Sequence, residues 1–146
     1  MADDDPLPAL CRQITFLVNK LLYTFSEISE ILDLQNLAIR NSDPDLTAHY
    51  ADMIDSQLHS AQNIQKTLLA IENEFDVSTA ALFPNGWKQV EDILERLHEK
   101  NDKNRTACNE EILRLKKGMS QNRKIFGNSN IFSSDIKKSS IYSEGF

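Results

Sequence analysis

The sequence predicts an all-α protein: an elongated antiparallel bundle of three long helices followed by a flexible C-terminal tail. Three observations carry that reading. Apolar residues recur at alternating steps of three and four through residues 8–40, 44–75 and 87–126, which is the period of one helix face. Only four Gly and four Pro occur in 146 residues, so long elements are favoured over many short ones. The two clear breaks, NSDP at 41–44 and FPNGW at 83–87, leave turns short enough to pack successive helices side by side. The bundle is expected to occupy residues 1–127 and the tail residues 128–146.

The first helix is expected from Pro8 to Arg40. Proline suits a first helical turn, where its missing N–H is not needed. Leu10, Ile14, Leu17, Leu21, Ile28 and Ile31 form one apolar row, and Val18, Leu22, Phe25, Leu32 and Ile39 form a second beside it. Two adjacent rows make a stripe wide enough to meet two neighbouring helices. Pro44 disfavours helical geometry at Asp43, so the helix ends there. Asp43 then caps the next one, with Pro44 in its first position and Asp45 near the positive end of its dipole.

The second helix is expected from Pro44 to Phe75. Its seam reads Tyr50, Ile54, Gln57, Ala61, Ile64, Leu68, Ile71, Phe75, a heptad pattern with one polar member. Periodicity stops between Asp76 and Gly86. Ser78 or Thr79 is placed to cap a single turn through Leu82, and Pro84-Asn85-Gly86 reads as a turn. Leu82, Phe83 and Trp87 are expected to fold back as an apolar plug on the bundle end. The third helix is expected from near Trp87 to Phe126, weakened at Gly118 by up to about 1 kcal/mol relative to alanine and stopped at Gly127.

Beyond Gly127, in NSNIFSSDIKKSSIYSEGF, Ile131, Ile136, Ile141 and Phe146 stand five apart. That spacing cannot line one helical face. It reads as separate apolar anchors on a polar chain, flexible when free and ordered by a partner.

Charge is divided along the chain. Residues 1–86 carry thirteen acids against four bases, and residues 112–146 carry seven bases against two acids. The basic end is expected to be a solvated face and tail rather than a nucleic-acid surface, because the chain is acidic overall and has no recognisable nucleic-acid motif. The acidic N-terminus lacks the basic region of a secretory signal. The most apolar run, ITFLVNKLLYTF, is too short to span a bilayer. A cytoplasmic protein without membrane insertion is expected.

Cys11 and Cys108 are too few for a disulfide scaffold. His49, His59 and His98 do not stand at metal-ligand spacing with either cysteine. There is no glycine-rich phosphate loop and no nucleophile motif. No enzyme activity, cofactor or metal is expected.

Within the third helix the stretch EKNDKNRTACNEE breaks the apolar row. Continuing the spacing of Trp87, Val90, Leu94 and Leu97 puts Asn101, Asn104 and Cys108 on the inward face, before Ile112, Leu115 and Met119 resume it. A buried amide without a partner costs about 1–3 kcal/mol. These amides therefore either pair and fix helix register, or lie where the seam is open to water or to a partner.

Leu97, Glu99, Asn101 and Asn104, in LHEKNDKN, resemble the Leu/Glu/Asn/Asn signature of the FlgN family of flagellar export chaperones. Ala107-Cys108 stands where that family usually has two aliphatic residues. LQNLAIRNSDPDL (34–46) resembles the family's first turn. IENEF (71–75) is similar to its Leu-Glu-x-Glu-Arg segment, with Phe75 replacing the basic residue. SSIYSEGF (139–146) resembles its terminal Tyr-x-x-Gly. The resemblance implies a cytosolic type III export chaperone. Such a protein binds hook-filament junction (hook-associated) subunits, prevents their premature assembly and delivers them to the export gate. It also implies that the C-terminal part holds the cargo: Ile112, Leu115, Met119, Ile125, Phe126, Ile131, Phe132, Ile136 and Ile141, with Tyr142 matching the terminal tyrosine and Asn101 and Asn104 matching the signature. The expected assembly is a monomer or homodimer. Two alternatives are a sister type III chaperone for another cargo and a structural coiled-coil subunit of a cytosolic assembly.

Overall fold

The computed structural model of the protein describes residues 7–126, and side chains through residue 120. It is all-α among these residues, with α1 Leu7–Arg40, α2 Pro44–Phe75, a short α3 Thr79–Leu82 and α4 Pro84–Phe126.

The turn between α1 and α2 follows from its residues. Ser42 takes a positive φ of 54°, and the Asp43 N–H donates to Ala38 O at 3.0 Å, the closure that ends a helix in a left-handed residue. Asp43 is the N-cap of α2; its carboxylate accepts from the Leu46 N–H at 3.1 Å, and Pro44 follows as expected. At the other end of α2, Asp76 takes the same left-handed conformation, with φ 51°. Ser78 caps α3, and Glu72 accepts from the Thr79 N–H at 3.0 Å, tying α2 to α3.

The third long helix starts three residues earlier than its periodicity suggests. Pro84 opens α4 instead of breaking the chain, because a proline at the first helical position loses no hydrogen bond. The Trp87 N–H then closes the first turn on Phe83 O at 2.9 Å.

α1 is the central element. It packs along both α2 and α4, whereas the backbones of α2 and α4 approach one another closely at hardly any point. Its wide stripe is buried as expected: Ile14, Leu21, Ile28 and Leu32 are fully inside, with Phe25 and Ile39 beside them. Gln57 of α2 meets Glu27 and Gln35 meets Thr47, so α1 and α2 run antiparallel. Lys100 of α4 meets Ser29, and Asn104 meets Asn36, so α1 and α4 run in the same direction.

The seam of α2 differs from the expected one. Thr47, Ala51, Ile54, Leu58, Ala61, Ile64, Leu68 and Ile71 are buried. Tyr50 is half-buried, and Phe75 is exposed. Gln57 sits at the rim and donates to Glu27 Oε2 at 2.8 Å. Both rows obey the same spacing, and contact with α1 selects the one carrying small Ala51 and apolar Leu58. The main core also takes in Val90, Ile93 and Leu97 of α4. Leu82, Phe83 and Trp87 pack on it at its end, as the plug reading expects.

Candidate functional site

The distinctive chemistry lies where the C-terminal end of α1 runs beside the middle of α4. The apolar seam of α4 passes from Leu97 into Asn101, Asn104 and Cys108, and all four are buried. The alternation of three and four therefore continues unbroken through the polar stretch. α1 answers with polar residues of its own. Gln35 and Asn36 follow Leu32 at the next inward positions and are buried as well.

Asn104 is the hub of this layer. Its Oδ1 accepts from Asn36 Nδ2 at 2.9 Å. Its Nδ2 donates to Leu32 O at 2.9 Å and to Gln35 Oε1 at 3.1 Å. Gln35 Nε2 in turn donates to Thr47 O of α2 at 3.3 Å, and the Thr47 hydroxyl donates to Asp43 O at 2.7 Å. One chain of amides thus links all three long helices. Of the two roles open to the asparagines, Asn104 takes the paired one, with its side chain turned toward α1 and used within the fold; Asn101 is buried beside it.

Below the layer, Lys100 Nζ donates to Ser29 Oγ at 2.7 Å and to Asp33 Oδ2 at 2.8 Å. Above it, Cys108 packs with Ile39 and with half-buried Ile112. The last contact with the α1–α2 turn is polar. The Ser42 hydroxyl donates to Glu111, and Arg114 donates both to Glu111 and, at 3.0 Å, to Ser42 Oγ. The Arg114 guanidinium holds the Glu111 carboxyl below the usual carboxylate range. Burial works against that shift, and the Ser42 hydroxyl adds to it. A groove of about 530 Å³ opens beside this cluster, with Ile39 at its floor and Arg40, Lys103, Glu110 and Arg114 around it.

No protein-family model, curated protein or solved structure matches the chain.

Past Arg114, α4 continues to Phe126, about three more turns, beyond the last residue of α1 and the turn that follows it. Leu115 and Met119 lie on these turns in line with Ile112 and are half-buried. Leu113 is two-thirds exposed. A Cβ built on Gly118 meets nothing within 4 Å. The expected contact residues Ile112, Leu115 and Met119 are thus collected on one side of one helix, apart from the buried Asn101 and Asn104. Ile125 and Phe126 fall in the final turn, with side chains outside the described residues. Ile131, Phe132, Ile136, Ile141 and Tyr142 also lie outside them, as does the expected flexibility of the tail.

The residues that sequence reasoning missed are Gln35, Asn36, Thr47 and Ser42. The spacing of the α1 rows does point to Gln35 and Asn36, three and four residues beyond Leu32. Among the described residues, no cluster of His, Cys, Asp and Glu is arranged to hold a metal ion. No helix there is long and apolar enough to cross a membrane.

Proposed function

We propose that the protein is a helical export chaperone that holds an amphipathic helix of a client along the projecting end of α4. The client class suggested by the FlgN resemblance is the hook-associated subunit, delivered from the cytoplasm to a type III export gate. The observation that supports this most is the continuation of α4 past the α1–α2 turn. Its apolar row extends there beyond the reach of the helix that covers the rest of it. Presenting an apolar helix face to an incoming helix is a recurrent recognition mode, and helical termini of polymerising subunits offer such faces. The antiparallel-bundle part of the fold serves as the rigid holder, with α1 fixing α4 through the amide layer.

Calorimetric titration with a purified hook-filament junction subunit tests this. Wild-type protein is expected to bind at micromolar or tighter affinity. Leu115→Asp and Met119→Asp are expected to weaken binding at least tenfold, about 1.4 kcal/mol, without altering helical content. Absence of binding by the wild type, or equal affinity in both variants, overturns the proposal.

A further inference from the structure

The end of α4 that runs past the α1–α2 turn is charged as well as apolar. From Ile112 to Phe126 the sequence holds five bases, Arg114, Lys116, Lys117, Arg123 and Lys124, and no acid. The other eleven of the sixteen bases stand against all twenty-two acids, so a basic end projects from an acidic molecule. Arg114 is taken up by Glu111 and Ser42. Lys116 and Lys117 are exposed, and among the described residues no acid pairs with either.

Two of these bases hold a defined place beside the apolar row. Ile112, Leu115 and Met119 occupy successive a, d and a positions of a heptad, which makes Lys116 its e position. Arg123 stands seven residues further on, at the next e position. Ile112 lies four residues before Lys116 and Met119 three after it, so on a helix they are its neighbours and its charge borders the row. In paired helices the charges at e and g set the choice of partner. Successive basic e positions select a helix with acids along the facing border.

The other sources of negative charge do not suit this face. Asp3, Asp4 and Asp5 precede α1, whose start lies at the far end of the molecule because α1 and α4 run in the same direction. Six residues span at most about 20 Å, against about 51 Å for the 34 residues of α1. A second copy laid antiparallel sets Lys116 and Arg123 against themselves. Laid parallel, it sets them against the g positions, Gly118 and Ile125, which carry no charge. A flat anionic bilayer reaching the row also meets exposed Asp43 and Asp45 of the adjoining turn, whereas a single helix needs only the row and its border. We infer that the end of α4 takes an amphipathic client helix whose apolar row is bordered by Asp or Glu, with Lys116 and Arg123 as the selecting charges. The inference rests on the reading of that end as a helix-holding face and adds which helices it accepts.

Fluorescence anisotropy of the full chain with two labelled synthetic peptides, each of about three heptads, tests the inference. Both carry leucine at every a and d position; one has glutamate at every e and g position, the other glutamine. The glutamate peptide is expected to bind about fivefold tighter at about 50 mM salt. At about 500 mM the margin is expected to shrink, because salt screens exposed charges. Lys116→Glu combined with Arg123→Glu is expected to reverse the order, with circular dichroism unchanged because Lys116 is exposed. Equal binding of the two peptides, or a preference that the double variant leaves in place, overturns the charge selection and leaves the helix-holding reading standing. Binding of neither peptide overturns both, and binding of phosphatidylglycerol vesicles in that case assigns the end of α4 to a membrane surface.

Discussion

Replacing Asn104 by alanine removes one side chain from α4 and strands two groups on α1. Asn36 Nδ2 loses its acceptor, and Gln35 Oε1 loses its donor. Both residues are at least nine-tenths buried, at 9% and 2% exposure, so bulk water does not readily replace the missing partner. Leu32 O loses a second donor but keeps its place in the helix, which costs little. Stranding a buried polar group costs about 1–3 kcal/mol. Two such groups, with some relaxation into the space vacated, give an expected loss of about 2–4 kcal/mol. Removing Asn36 as well deletes one of the stranded groups, so Asn36→Ala and Asn104→Ala together should cost at least about 1 kcal/mol less than their sum. Urea unfolding followed by helical circular dichroism measures all three variants, with exposed Lys103→Ala as a control expected within about 0.5 kcal/mol of wild type. A loss below about 1 kcal/mol for Asn104→Ala, or strict additivity with Asn36→Ala, would refute the claim that the amides form one closed layer.

The other predictions concern the helix ends and the core. Asp43→Ala deletes the cap of α2 and should cost about 1 kcal/mol in the same unfolding assay. Leu97→Ala, at a fully buried position between α1 and α4, should cost about 2–5 kcal/mol. Glu111 has a lowered folded pKa, so its contribution is present above the unfolded value and fades as pH falls through the lowered one. Thermal melts on the acid side of the carboxylate range should therefore show wild type converging on Glu111→Gln, with the gap widest near neutrality. Truncation after Gly127 should leave the unfolding transition in place while weakening the client affinity measured by calorimetry; an unchanged affinity would take the tail out of the binding account.

Where one residue type settles the backbone, the fold was legible in the sequence. Asp43 before Pro44 is a capping signal whose physics is local, and so is Ser78-Thr79 before a short apolar turn, of which the structure uses Ser78. The seam of α4 was legible from Leu97 onward, where its 3-4 spacing carries through Asn101, Asn104 and Cys108; before it the structure buries Ile93 and leaves the expected Leu94 half-buried. The seam of α2 was not. Tyr50-Ile54-Gln57 and Ala51-Ile54-Leu58 are neighbouring rows of equal period, and only the approach of α1 chooses between them. Pro84-Asn85-Gly86 read as a turn because its residues favour one, yet proline at a helix start serves α4 equally well. Gln35 and Asn36 carry no local signal of their pairing, being polar residues between Leu32 and Ile39 of one apolar row. Their meaning needs Asn104, 68 residues further along from Asn36, which no local pattern connects to them. The candidate contact residues on α4 were legible as a row. Their position beyond the α1–α2 turn was not, since it depends on where α1 and α4 come into register.

The placement of α1 between two helices that scarcely meet has a consequence for how the molecule opens. α1 and α2 form a hairpin closed by one short turn. α4 is fastened to that hairpin almost wholly through α1, by contacts distant in sequence. Separating α4 from α1 breaks the amide layer and the Lys100 and Arg114 contacts but leaves the hairpin seam from Ala51 to Ile71 whole. The connectivity thus lets α4 detach as a strap with a hairpin left standing. Amide protons of α4 should exchange through that opening ahead of those in the hairpin, with Asn104 setting how often it occurs.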